Sequence, residues 1–431
     1  MNLSSIKALV LGGSTLSRRA AAASRTLFAK SVILGTMEAI RTAVLARLVA
    51  PADYGLMTLA MIVITLLESF STTGIDLLIQ REQGRIRDRL SAYWTIKAVR
   101  GIILTCLALG LAMPLEWYYD VPGLHIVVWA LAFGFLLRGF SGFGAELCQR
   151  HLQFGRLARA EILATAVTLV LGLPAAFWLR NVWALVVIHL LSSASTWAVS
   201  FLLTSWRPSM RWHKEVFQAV GLFGGSVVVI HLSNYFFTSF DRGVIGKLDG
   251  LEAVGFYARA HFLALLPVNY FANILAPVFL PTFRRMASDP ARLRRAFLKA
   301  LGIMAASASA LAIVFIVLAR PIILVTYGPR WMPILPLVRI LMVFGVIKAT
   351  SALFPSIFFL KNKPWLGSLP SVLMALALAV LGLLMTRAYG SVGMAWAVTL
   401  SGLTANTLAL GLALNLLRTT RKLKNLAEPF P

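Results

Sequence analysis

The chain has 431 residues, 59% hydrophobic and 13% charged, with a mean hydropathy of +0.80. A soluble domain is about half apolar and about a quarter charged. Apolar runs near the length of a bilayer span recur here from end to end, which excludes a soluble globular protein and points to a polytopic integral membrane protein. The 41 Lys and Arg against 16 Asp and Glu would suggest nucleic acid in a soluble chain. In a membrane chain the same excess gathers in cytoplasmic loops, so no nucleic-acid partner is expected.

Segment 1–27 is Ser/Ala-rich and basic, with Lys7, Arg18, Arg19 and Arg25. It lacks a short apolar leader with a small-residue cleavage site and reads as a cytoplasmic lead-in. Twelve apolar spans follow, at 28–50, 55–79, 92–114, 122–147, 159–179, 182–204, 217–240, 254–280, 297–319, 332–358, 366–387 and 391–417. Most are interrupted by Gly, Pro, Ser or Thr, which membrane helices tolerate where neighbours satisfy the backbone. Trp117, Tyr118, Tyr119, Trp206 and Trp331 fall at span ends, as interfacial aromatics do. Cys106 and Cys148 lie in or beside apolar runs and imply neither a disulfide framework nor a metal site.

The even-numbered loops carry QREQGRIRDR (80–89), QRHLQFGRLAR (149–159), WRPSMRWHK (206–214), FRRMASDPARLRRAFLK (283–299) and KNK (361–363). The tail adds RTTRKLK (418–424). The odd-numbered loops, such as APADYG (50–55), PLEWYYDVPG (114–123) and DRGVIGKLDGLE (241–252), are poorer in cations. This asymmetry predicts both termini in the cytoplasm. The odd-numbered loops are also too short for an extracytoplasmic domain.

RLVAPADYG (47–55) returns in frame as KLDGLEAVG (247–255), with Arg47, Leu48 and Gly55 recurring as Lys247, Leu248 and Gly255. Both stretches follow the first span of a half. The expected fold is therefore an all-α integral membrane protein of about twelve helices, arranged as two six-helix bundles related by pseudo-two-fold symmetry. The bundles would occupy 28–205 and 217–417, joined by a cytoplasmic linker at 206–216 and followed by a cytoplasmic tail at 418–431.

The opening RLVAPADYGLMTLAMIVITLLESFSTTGIDLLIQR (47–81) resembles that of the polysaccharide flippases. These are the oligosaccharide-lipid branch of the multidrug/oligosaccharidyl-lipid/polysaccharide exporter superfamily. Arg47, Leu48, Pro51, Asp53, Tyr54 and Gly55 carry the likeness, and Gly74, Ile79, Gln80 and Arg81 close it. Similar blocks follow at 147–161, 182–193, 206–208, 241–267 and 320–341. Many such flippases have a further C-terminal helix pair, outside the two bundles. The resemblance implies translocation of polyprenyl-pyrophosphate-linked oligosaccharide repeat units across a bacterial inner membrane by alternating access. It also implies service to O-antigen, capsule or exopolysaccharide assembly, beside a polysaccharide polymerase and export machinery.

No GxxxxGK[ST] phosphate loop, HExxH or Cys/His cluster is present, so no cofactor, metal or enzymatic role is expected. What carries chemistry is a set of ionisable residues inside spans, where charge is costly and marks a pathway or a structural pair. Arg41, Arg138, Arg259, Arg339 and Lys348 are the substrate-binding candidates. Arginine suits a diphosphate, because its forked donors match phosphate oxygens and its charge does not titrate. Each candidate has a plainer reading. Glu38 stands three residues before Arg41 and can neutralise it; Arg138 can snorkel to the interface; Arg339 and Lys348, nine apart, face opposite sides of one helix. Arg47, Asp53, Asp241 and Arg242 are expected at the outer interface as gate or turn anchors, the last two as a loop ion pair. Glu68 and Asp76 are candidates for ion coupling, and His231 and Asn234 for polar contacts between helices. The alternatives are a drug or small-solute antiporter of the same superfamily, which would favour acids in its cavity, and a polymerase or ligase, which would need a long outer loop.

Overall fold

The computed structural model describes residues 15–71, 74–81 and 87–423, and every regular element among them is a helix. The chain runs α1 (Thr15–Leu48), α2 (Pro51–Ser71), a short α3 (Ile75–Arg81) and α4 (Arg87–Tyr119). Next come α5 (Leu124–Gly139), α6 (Gly144–Arg150), α7 (Phe154–Leu179) and α8 (Val182–Leu202). Then α9 (Lys214–Leu248), α10 (Leu251–Arg284), α11 (Pro290–Thr326), α12 (Ile334–Ser351) and α13 (Phe354–Leu360) lead to α14 (Ser368–Leu423). The last helix is broken at Gly390, whose φ of 59° leaves the helical region.

Among the described residues, eight segments are long and apolar enough to cross a membrane, or nine when α5 and α6, bent by 47°, count as one. Twelve crossings would also require α1 and α9 to cross and α14 to cross twice. Large apolar side chains such as Trp178 (93% exposed) and Val317 (70%) point outward along the helices. In a soluble protein they would be a liability; here they are the surface that meets lipid.

The chain divides into two compact units, the first ending at Tyr235 and the second beginning at Phe236, inside α9. In the first unit α5 is the hub, packing on α2, α4 and α8. In the second unit α12 holds the same place, packing on α10, α11 and α14. The order of elements repeats in detail. A two-residue turn separates α1 from α2 and again α9 from α10. Each hub helix is followed by a break and a seven-residue helix, α6 or α13. Left-handed residues recur at matching turns: Gly123 and Gly328 before the hubs, Leu152 and Asn362 after the short helices, Arg180 and Gly390 before the final helix of each series. The echo of RLVAPADYG in KLDGLEAVG thus marks a repeated chain path.

Both hinges are tied to that final helix. Asp53, in the first turn of α2, accepts the Val182 backbone N–H at 3.0 Å, at the start of α8. Asp249, in the turn before α10, accepts the Ser391 N–H at 2.5 Å, just after the Gly390 break. The two acids are not in register in the sequence, yet each satisfies a donor of a newly starting helix.

One expectation is corrected here. Asp241 and Arg242 do not lie in an outer loop: α9 continues through them to Leu248, because nothing between Phe240 and Lys247 removes a backbone donor. Asp241 is buried, and its carboxylate accepts the Tyr257 hydroxyl and the Arg242 backbone N–H, each at 2.8 Å. It fastens α9 to α10 inside the second unit.

Candidate functional site

A cavity of about 340 Å³ opens within the first unit between α2, α3, α4 and α5. Two local features create it. Gly74 takes a φ of 66° just before α3, whose first turn carries Asp76. Gly101 on α4 and Gly139 on α5 then bring those helices together so closely that a Cβ on either would lie 2.9 Å from the other's Cα. Small residues permit such backbone approach in membrane bundles. The crossing places Lys97 and Arg100, three apart and so on one face of α4, beside Arg138 on α5.

Glu68, Asp76, Lys97, Arg100 and Arg138 all line the cavity. Arg138 forms an ion pair with Glu68 of α2, and its second nitrogen lies 3.2 Å from Nε2 of His189 on α8. A guanidinium has only donors, so that imidazole nitrogen accepts and the ring proton sits on Nδ1. Lys97 sits 4.9 Å from the Phe143 ring centre and within electrostatic range of Asp76 and Glu146, while Asp76 is also in range of Arg100. Glu146, in the first turn of α6, is within electrostatic range of Lys97 and Asp76. Three cations therefore face three carboxylates in and around one water-accessible recess. Such a site can accept an anion by partner exchange, with the guanidinium and ammonium groups turning from carboxylate to phosphate without passing through an unpaired state.

The remaining sequence candidates are distributed as follows. Arg41 pairs with Glu38 at 2.5 Å and is within electrostatic range of His189, at the edge of the same network. Arg47 is exposed at the end of α1. Arg259, Arg339 and Lys348 belong to the second unit. Arg259 lies over the Phe262 ring at 5.8 Å, Arg339 and Lys348 are exposed on α12, and Arg242 and Lys348 are both within electrostatic range of His261. Arg138 and Lys348 each occupy the fifteenth position of their hub helix, α5 or α12. His231 and Asn234 fall on α9, but their side chains lie outside the described residues. Lys97, Arg100, Glu146 and His189 escaped the sequence reading. The signal for the first two was visible, as cations three apart in an otherwise apolar span.

A family model described as "Polysaccharide biosynthesis protein" matches residues 44–336, well over half of the chain. The chain belongs to that family. It is 23% identical over 285 residues to the amylovoran biosynthesis protein AmsL of Erwinia amylovora, covering 64% of this chain and 72% of that one. It is also 23% identical over 341 residues to the lipopolysaccharide biosynthesis protein WzxC of Escherichia coli, covering 77% of this chain and 68% of the relative. Among solved structures, the lipid II flippase MurJ in an inward closed conformation superposes with a TM-score of 0.69 at 12% identity, over 95% of this chain and 93% of that one. At that identity the likeness concerns the fold. This family member is a multi-pass membrane protein, helical in every regular element of its described residues, with the same fold.

Proposed function

We propose that this protein is a flippase that carries polyprenyl-pyrophosphate-linked oligosaccharide units across the bacterial inner membrane for O-antigen, capsule or exopolysaccharide assembly. Family membership and the fold shared with a lipid II flippase support this reading. The observation that carries it is the cluster of Lys97, Arg100 and Arg138 inside a membrane-embedded unit. Charge at that depth is costly unless it serves a cargo or a pair. A diphosphate offers oxygens enough to engage several forked and point cations together. The cargo's lipid tail would stay in the bilayer while the headgroup enters the recess from the cytoplasmic side, and the two halves would alternate access. Nothing is bonded or cleaved. Removal of product by a polymerase and export machinery outside, or an ion gradient acting through Glu68 or Asp76, would give the cycle direction. The basic even-numbered loops support placing both termini in the cytoplasm.

A drug antiporter would bind an organic cation through the carboxylates and would not need Lys97 or Arg100. Deleting the gene and trapping envelope intermediates separates the readings. We expect lipid-linked repeat units to accumulate facing the cytoplasm, with rescue by the wild-type chain and none by Arg138→Gln. Units that still reach the outer leaflet at the normal rate would rule the proposal out.

A further inference from the structure

In the second unit a separate cavity of about 350 Å³ lies where α10 ends, lined by Leu280, Pro281, Arg284 and Arg285. Its wall is apolar and its mouth carries two exposed arginines. Beyond it, the first turns of α11 display Arg292, Arg294, Arg295 and Lys299, all exposed. Between 284 and 299 the sequence thus holds six cations and one acid, Asp289. That acid caps α11, accepting the backbone N–H groups of Ala291 and Arg292 at 3.0 Å each. Six cations against one acid leave this stretch with a large excess of positive charge.

These cations are held on a firm platform. Leu293 and Phe297 point inward from the same turns and are fully buried against Phe283, Phe354 and Phe358. The Phe283, Phe297 and Phe354 rings follow one another at 6.2 Å. Leu366 joins the same cluster, and its neighbour Trp365 is 61% exposed. An exposed tryptophan at a span end marks the level of lipid headgroups.

We infer that this corner is a binding site for an anionic phospholipid of the surrounding bilayer, with the phosphate on Arg284 and Arg285 and an acyl chain along Leu280 and Pro281. Charge complementarity selects the headgroup, and the apolar wall selects a ligand that brings its own chain. Basic charge that only orients the chain in the membrane needs neither a cavity nor a fixed platform.

The full-length protein would be placed in nanodiscs of equal phosphatidylcholine and phosphatidylglycerol, extracted gently, and its retained lipid counted by native mass spectrometry. Phosphatidylglycerol should be retained preferentially. Arg284→Gln with Arg285→Gln should lower its retention about thirtyfold, given roughly 1 kcal/mol per basic residue at an anionic surface. Leu280→Trp should do the same with every charge in place, and it decides alone if the arginine variant fails to fold. Arg320→Gln with Arg330→Gln, which removes two exposed cations, one near the far end of α11 and one in the turn after it, should change nothing. Equal losses in the two arginine pairs, or full retention in Leu280→Trp, would overturn the site. So would displacement of phosphatidylglycerol by an equal amount of geranylgeranyl diphosphate, which would assign the corner to the transport route.

Discussion

Arg138 has two partners from distant parts of the chain, Glu68 and His189, and each makes a different demand on it. The Glu68 pair is open to the cavity, with side chains 42% and 34% exposed, so its net contribution to stability is about 0–1 kcal/mol. Its value is positional: it holds the guanidinium toward the recess. Glu68→Gln should therefore shift the melting temperature of the purified protein little, while slowing transport by changing when Arg138 is released to the cargo. Arg138→Gln should insert and melt normally and still fail to transport. Lys97→Gln combined with Arg100→Gln should give the same outcome in a reconstituted flipping assay. Full transport by both variants would remove the cavity from the mechanism.

At the scale of elements, the crossing of α4 over α5 is the feature most exposed to test. A side chain larger than hydrogen at Gly101 meets the Gly139 Cα and the Phe135 carbonyl at 2.9 Å, and backbone cannot move aside as a flexible side chain can. Gly101→Ala should cost about 1–3 kcal/mol and reduce transport, because separating the helices also separates Lys97 and Arg100 from Arg138. Gly110→Ala, on the same helix with nothing within 4 Å of the added Cβ, is the matched control and should be neutral or slightly stabilising. The hinge acids make a second test. Asp53→Ala and Asp249→Ala each remove an acceptor from the start of a helix and should each cost about 1 kcal/mol in thermal melts. A loss in one and not the other would mean that the two turns only look alike.

For the whole molecule, the charge asymmetry makes a topological claim. The turn at Asp120–Gly123 and the turns at Leu152 and Asn362 should open on opposite faces of the membrane. Alkaline phosphatase fused after Gly123 should be active, and fused after Leu152 or Asn362 inactive, with a C-terminal fluorescent protein bright. An active fusion at Leu152 would reverse the orientation and with it the direction of proposed transport. The bulk of the mutational signal should come from the cavity and the crossings. The outward apolar faces contact lipid, and apolar exchanges there leave the surroundings much the same.

The membrane class, the rough position of the apolar stretches and the echo of 47–55 in 247–255 were legible in the residues alone, although the loops read there, 50–55 and 241–252, are two-residue turns at 49–50 and 249–250. These properties are local: hydropathy sums over a window, and glycine, proline and charge mark where a window ends. The pairing of Arg138 with groups 70 and 51 residues away was not legible, nor was the recruitment of Lys97 and Arg100 to the same recess. The burial of Asp241 within a helix was equally hidden. In a soluble helix the polar stripe tells which face looks outward. In these spans the face toward lipid and the face toward other helices are both apolar, so the sequence names the charged residues but not their company. Helix packing, set by close approaches such as Gly101 against Gly139, decides which charges meet and which carboxylates hold them in place.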